Sequence, residues 1–95
     1  MDIPFKEDLM TEFDPRKTTT LYTMDGCKYC TLAKELLNRS KVDYNEVLLN
    51  RDITREQVLS ELKVETVTFP QIVYNGKNLG GLVEAARHFK SIGLV

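Results

Sequence analysis

Two thiols two residues apart, in Cys27-Lys28-Tyr29-Cys30, are the side chains of this chain best suited to chemistry. On a helix that spacing puts the second sulfur one turn from the first, within reach of a disulfide made at its neighbour. Cys27 falls where a strand-like segment gives way to a helix-like one. Its expected place is therefore a helix N-terminus, where unpaired N–H groups and the macrodipole favour an anion. A free thiol of pKa about 8.5 is only about 3% thiolate at pH 7, whereas one lowered to about 5 is almost wholly nucleophilic. Lys28 pushes the same way. The pattern assigns Cys27 as the attacking thiol and Cys30 as the resolving one, in exchange through a mixed disulfide. Two competing readings are a structural pair and a zinc site. Buried structural thiols have no reason to keep this spacing at a helix start. Zinc needs four ligands, and the chain offers two thiols and the single His88, which reads as a solvated histidine beside Glu84 and Ser91 on a polar helix face.

Strand and helix signals alternate around the pair. Thr18 to Met24 is β-branched and aromatic, which predicts a strand that Asp25-Gly26 breaks. From Cys27, apolar residues at Leu32, Ala33, Leu36 and Leu37 follow helical spacing, opposite Lys34, Glu35, Asn38 and Arg39. Val42 to Leu49 predicts a second strand, parallel to the first through a right-handed crossover. Thr54 with Gln57 forms a capping box, and Ile53 with Val58 a hydrophobic staple, for a helix to about Leu62. Thr66 to Tyr74 has strand composition, Asn75-Gly76 is a preferred two-residue hairpin turn, and Lys77 to Gly80 is the return strand. Gly80-Gly81 opens a last helix with an apolar face of Leu82, Ala85, Ala86, Phe89 and Ile92, closed by Gly93. The expectation is an α/β domain over residues 18–95. Residues 1–17 form an extension in which Phe5, Leu9 and Phe13 predict a short helix ending before Asp14-Pro15.

Composition narrows the classes. With 13 basic and 14 acidic residues in 95, the net charge of −1 lacks the basic surface that nucleic acid demands. No apolar run is long enough for a membrane span, and the first residues, Met1-Asp2-Ile3-Pro4-Phe5-Lys6-Glu7-Asp8, lack the uninterrupted apolar stretch a signal peptide needs. A hydrophobic content of 42% supports one modest core, and two cysteines cannot build a disulfide framework. The chain reads as a soluble protein of a reducing, cytoplasmic compartment whose cysteines do chemistry.

Three separated runs carry a family resemblance: Tyr22-Thr23-Met24-Asp25-Gly26-Cys27-Lys28-Tyr29-Cys30, Thr68-Phe69-Pro70-Gln71-Ile72, and Asn75-Gly76 with Leu79-Gly80-Gly81. From about Thr18 to its C-terminus the chain resembles a glutaredoxin of the dithiol type, in the thioredoxin-fold superfamily. The run Asp52-Ile53-Thr54-Arg55-Glu56 is similar to phage-type members. The resemblance implies a thioredoxin-like fold, a four-stranded mixed sheet of order 2-1-3-4 flanked by three helices. It implies a cis Pro70, which leaves the main chain of Phe69 open to a thiol peptide in a one-residue form of strand addition.

The implied activity is a glutathione-dependent thiol–disulfide oxidoreductase in electron transport and redox homeostasis, monomeric and with no metal. Glutathione would lie against Lys28, Tyr29, Thr68, Phe69, Pro70, Gly81, Val83 and Glu84. The amides of Val83 and Glu84 would take its γ-glutamyl carboxylate at the helix start. Clients would be protein disulfides or glutathione mixed disulfides, with ribonucleotide reductase as one candidate. Many members have Pro in place of Lys28, Lys in place of Met24, Arg near Thr66 and Val67, and Ser or Asp in place of Val83. Binding would then rest mainly on backbone contacts, with Lys28 or Arg55 available to substitute. The same departures suit two alternatives, recycling by thioredoxin reductase and a glutathione-ligated 2Fe–2S cluster shared by two protomers.

Overall fold

The protein is described from a computed structural model, which covers residues 16–95. The short helix read from Phe5, Leu9 and Phe13 lies outside the described residues, as does most of the extension 1–17.

The element order is β1 (Thr20–Thr23), α1 (Lys28–Arg39), β2 (Asn45–Leu48), α2 (Arg55–Leu62), β3 (Gln71–Tyr74), β4 (Lys77–Gly80) and α3 (Leu82–Ser91). The strands form one sheet in the order β2-β1-β3-β4. β1 pairs parallel with β2, and β3 antiparallel with β1 and β4. This is the thioredoxin-like arrangement that the motifs implied.

Alternation along the strands divides the core in two. Leu21 and Ile72 point to one face, where they pack with Ala33 and Leu37 of α1 and Ala85 and Phe89 of α3, all fully buried. Tyr22 and Val73 point to the other, where Leu49, Ile53 and Val58 bring α2 against the sheet. Ala33 and Leu37 follow Cys30 at i+3 and i+7, so the stripe that docks α1 also holds Cys30 against the sheet. The α2 capping box forms as expected, with the Gln57 N–H donating to Thr54 Oγ1 at 3.2 Å and the Thr54 N–H to Gln57 Oε1 at 2.8 Å. Asn75 and Gly76 both have positive φ, 50° and 84°, in the turn between β3 and β4.

Several boundaries differ from the sequence expectation. β2 begins at Asn45 and not at Val42, because Val42 closes α1. The Val42 N–H bonds Leu37 O at 2.9 Å and the Lys41 N–H bonds Asn38 O at 3.1 Å, with Lys41 left-handed (φ 59°), which is a Schellman closure. β3 begins at Gln71 and not at Thr66, since Pro70 has no N–H to give a ladder. Leu32, which its spacing places on the apolar face of α1, and Ile92, the C-cap residue that follows α3, are exposed. His88 is not simply solvated: its ring lies half-buried, edge-on to Tyr74 at 5.8 Å.

Candidate active site

β1 ends at Thr23 and the chain turns through Met24, Asp25 and Gly26 into α1, where Cys27 is the N-cap residue. Its sulfur accepts the Cys30 N–H at 3.1 Å, filling the place a Ser or Asp side chain takes at other helix starts. The two sulfurs form a disulfide across Cα atoms 5.2 Å apart. Cys27 is half-buried and Cys30 only 3% exposed, so solvent reaches the first residue and hardly the second.

The third side of the site comes from distant sequence. The Phe69–Pro70 bond is cis, as the resemblance implied, and Phe69 O stands 3.7 Å from Cys27 Sγ. A disulfide sulfur has no proton to give, so this is a contact; the reduced thiol could donate to the same oxygen. Gln71 Nε2 donates to Thr68 O at 2.8 Å and so braces the turn before Pro70. The Arg55 guanidinium lies 5.8 Å from the centre of the Phe69 ring. A Cβ placed on Gly81 would come 3.6 Å from Pro70 O, so the start of α3 adjoins this turn. There the Gly81 N–H donates to Glu84 Oε1 at 3.1 Å, while no N-cap side chain reaches the first turn of α3.

The fold thus brings Cys27 and Cys30 together with Thr68, Phe69, Pro70, Gly81 and Glu84. Lys28, Tyr29 and Val83 stand exposed around them, Val83 at 61%. A cavity of about 500 Å³ opens on the β2 side of the disulfide, where Thr23 of the first motif and three residues outside the motifs, Lys34, Glu46 and Arg51, share its wall with both cysteines. The Thr23 hydroxyl donates to Glu46 Oε2 at 2.7 Å, and Lys34 Nζ lies 3.0 Å from the same oxygen. Burial opposes ionisation of Glu46, but the Thr23 and Lys34 bonds outweigh it and hold its carboxyl below the usual 4.5. Lys34 follows Cys30 by four residues on α1; no signal marked Glu46, because its partners come from β1 and α1. A slightly larger cavity, about 540 Å³, opens beside Thr18, Ser40 and Asn75 at the other end of β1. It holds no thiol, so the disulfide places the site at the smaller one. Among the described residues, no group of three His, Cys, Asp or Glu is placed to hold a metal ion. None of the described helices is long and apolar enough to cross a membrane.

Comparison with known proteins follows this geometry. The glutaredoxin family model matches residues 19–79. Glutaredoxin 1 of Rickettsia prowazekii is 33% identical over 66 residues, covering 67% of this chain and 68% of that protein. The hybrid peroxiredoxin hyPrx5 of Haemophilus influenzae is 28% identical over 81 residues, 85% of this chain; the chain spans only 33% of that longer protein. Reduced Escherichia coli glutaredoxin superposes with a TM-score of 0.61 at 29% identity, covering 77% of this chain and 93% of that one. A buckwheat glutaredoxin solved as a glutathione complex shares the fold, with a TM-score of 0.66 at 18% identity over 81% of this chain and 72% of that one.

Proposed function

Because the chain belongs to the glutaredoxin family and is a thiol–disulfide oxidoreductase, we propose that it is the dithiol, glutathione-dependent kind. Cys27 attacks a protein disulfide or a protein–glutathione mixed disulfide, and its bond to the substrate sulfur replaces the bond that breaks. Cys30 then attacks Cys27, closing the disulfide and releasing the client thiolate, and two glutathione molecules return the pair to dithiol. The observation that carries this reading is the asymmetry of the pair: Cys27 caps the helix and faces outward, while Cys30 is buried one turn behind it.

Glutathione would lie on the Phe69 side of Cys27, opposite the Glu46 cavity, with its cysteinyl main chain against Thr68, Phe69 and Pro70. Its γ-glutamyl carboxylate would meet the Val83 and Glu84 amides, which no N-cap side chain occupies. Gly81 leaves room for that approach, and Lys28 and Tyr29 flank the sulfur. The glutathione complex of the buckwheat protein, which has this fold, supports the reading. We further propose cytoplasmic protein disulfides as clients of a monomeric enzyme, with ribonucleotide reductase among them. The match to a hybrid peroxiredoxin adds peroxidase disulfides to that set.

Glutathione-coupled turnover of wild type, Cys27→Ser and Cys30→Ser tests the proposal. Loss of all turnover in Cys27→Ser, with protein-disulfide reduction alone lost in Cys30→Ser, is expected. Turnover with thioredoxin reductase and none with glutathione would replace the reductant, a result that exposed Met24 and Val83, in place of polar anchors, would suit.

A further inference from the structure

The first turn of α3 already holds a carboxylate. Glu84, the third residue of the helix, folds back over Gly80 and Gly81, and its Oε1 accepts the Gly81 N–H at 3.1 Å. Neither glycine has a Cβ; one on Gly80 would come 3.5 Å from Glu84 Cβ and Cγ, and one on Gly81 would come 3.3 Å from Glu84 Oε1. The room that the two glycines leave is therefore taken by Glu84 itself. Pro70 O lies 3.6 Å from that same Gly81 position, which puts the carboxylate beside the cis-proline turn. The helix macrodipole favours one negative charge there, and Glu84 supplies it. A second carboxylate arriving at the Val83 and Glu84 amides would meet that charge within one helical turn, inside the screening length of about 8 Å at physiological salt. Glu84 has another place to turn: with Arg87, three residues on, and Lys77 of β4 it lines a cavity of about 420 Å³.

On the reading that the γ-glutamyl end of glutathione meets the start of α3, we propose that Glu84 is the residue that sets how well this protein takes glutathione. Its carboxylate occupies the helix start in the free protein, and it must leave the Gly81 N–H, toward Arg87 and Lys77, before a γ-glutamyl carboxylate is held there. A disulfide partner that brings no carboxylate to this place meets no such competition. Glu84 therefore weakens the recognition of glutathione mixed disulfides and leaves that of ordinary protein disulfides as it is, so it shifts the choice of client toward the second class.

Single-turnover release of one peptide thiol, joined as a disulfide either to glutathione or to N-acetylcysteinylglycine, tests this. The second partner keeps the thiol and the glycyl carboxylate and has no γ-glutamyl carboxylate. Glu84→Gln keeps an oxygen for the Gly81 N–H, because Gln serves a capping box as Glu does, and removes only the charge. The variant is expected to release the peptide from glutathione about threefold to fivefold faster than wild type, the size of one exposed charge interaction, and from N-acetylcysteinylglycine within about twofold of it. The gain should shrink at about 1 M salt, where the screening length falls to about 3 Å. A glutathione rate that is unchanged or lower in Glu84→Gln, or a gain that is equal for both partners or undiminished by salt, would overturn the role of Glu84 alone. If wild type and variant each release the two peptides at one rate, the γ-glutamyl group is not recognised at all, and the glutathione reading falls together with this inference.

Discussion

Cys27 Sγ and Phe69 O stand 3.7 Å apart although 42 residues separate them in the chain. The carbonyl adjoins the more exposed of the two cysteines, and the Cys30 N–H, at 3.1 Å, favours negative charge on that same sulfur. Cys27 thus sits between a carbonyl that can accept a hydrogen bond from its thiol and a helix start that stabilises its thiolate.

Exposure and capping both favour reaction at Cys27. In the reduced protein at neutral pH, iodoacetamide should modify Cys27 at least about tenfold faster than Cys30, since thiolate fraction and access both set the rate. Peptide mapping of partly alkylated protein reads the ratio, and faster reaction at Cys30 would reverse the assigned roles.

Glu46 also predicts an acid response. Its carboxyl is held below 4.5 in the folded protein, so on acidification the unfolded chain takes up the proton first. The associated stability is complete above about pH 5 and is lost as pH falls through the folded value. Urea unfolding of wild type and Glu46→Gln from about pH 7 downward should show the wild-type advantage shrinking over that range.

The α2 capping box is a local feature with a local cost. Thr54→Ala removes the acceptor of the Gln57 N–H and should destabilise the protein by about 0.5–2 kcal/mol. Denaturant midpoints with an unchanged m-value would check this, and the Ile53–Val58 staple should keep the fold intact.

Phe89 is fully buried between α3 and the sheet, with its ring centre 5.1 Å from that of Tyr74. Phe89→Ala should cost about 3–5 kcal/mol, a large share of the 5–15 kcal/mol typical of a domain, and lower the thermal midpoint accordingly.

Gly80 has φ of +100°, a conformation closed to most side chains, while a Cβ there would make only ordinary contacts with Glu84 at 3.5 Å. Gly80→Ala should therefore cost about 1–3 kcal/mol through its backbone alone. Calorimetry would read the loss, and a neutral result would show that β4 can end in another conformation.

Most of the fold was legible because its signals are local. Thr54 and Gln57 cap each other three residues apart, Asn75-Gly76 makes its own turn, and the Cys27–Cys30 spacing needs one helical turn to become a disulfide. The strand ends were less legible, because Val42 looks like strand yet spends its N–H on Leu37 O to close α1. The sequence by itself determined the reacting pair, the order of the elements and the helix that Cys27 caps. Only the tertiary structure decided what surrounds the sulfurs. Phe69 O reaches Cys27 because β3 pairs with β1, and Glu46 enters the Cys30 cavity because β2 pairs with β1 on its other edge. Neither relationship has a spacing to read, since hydrogen-bonded strands bring distant residues to one place and the chain between them leaves no periodic trace.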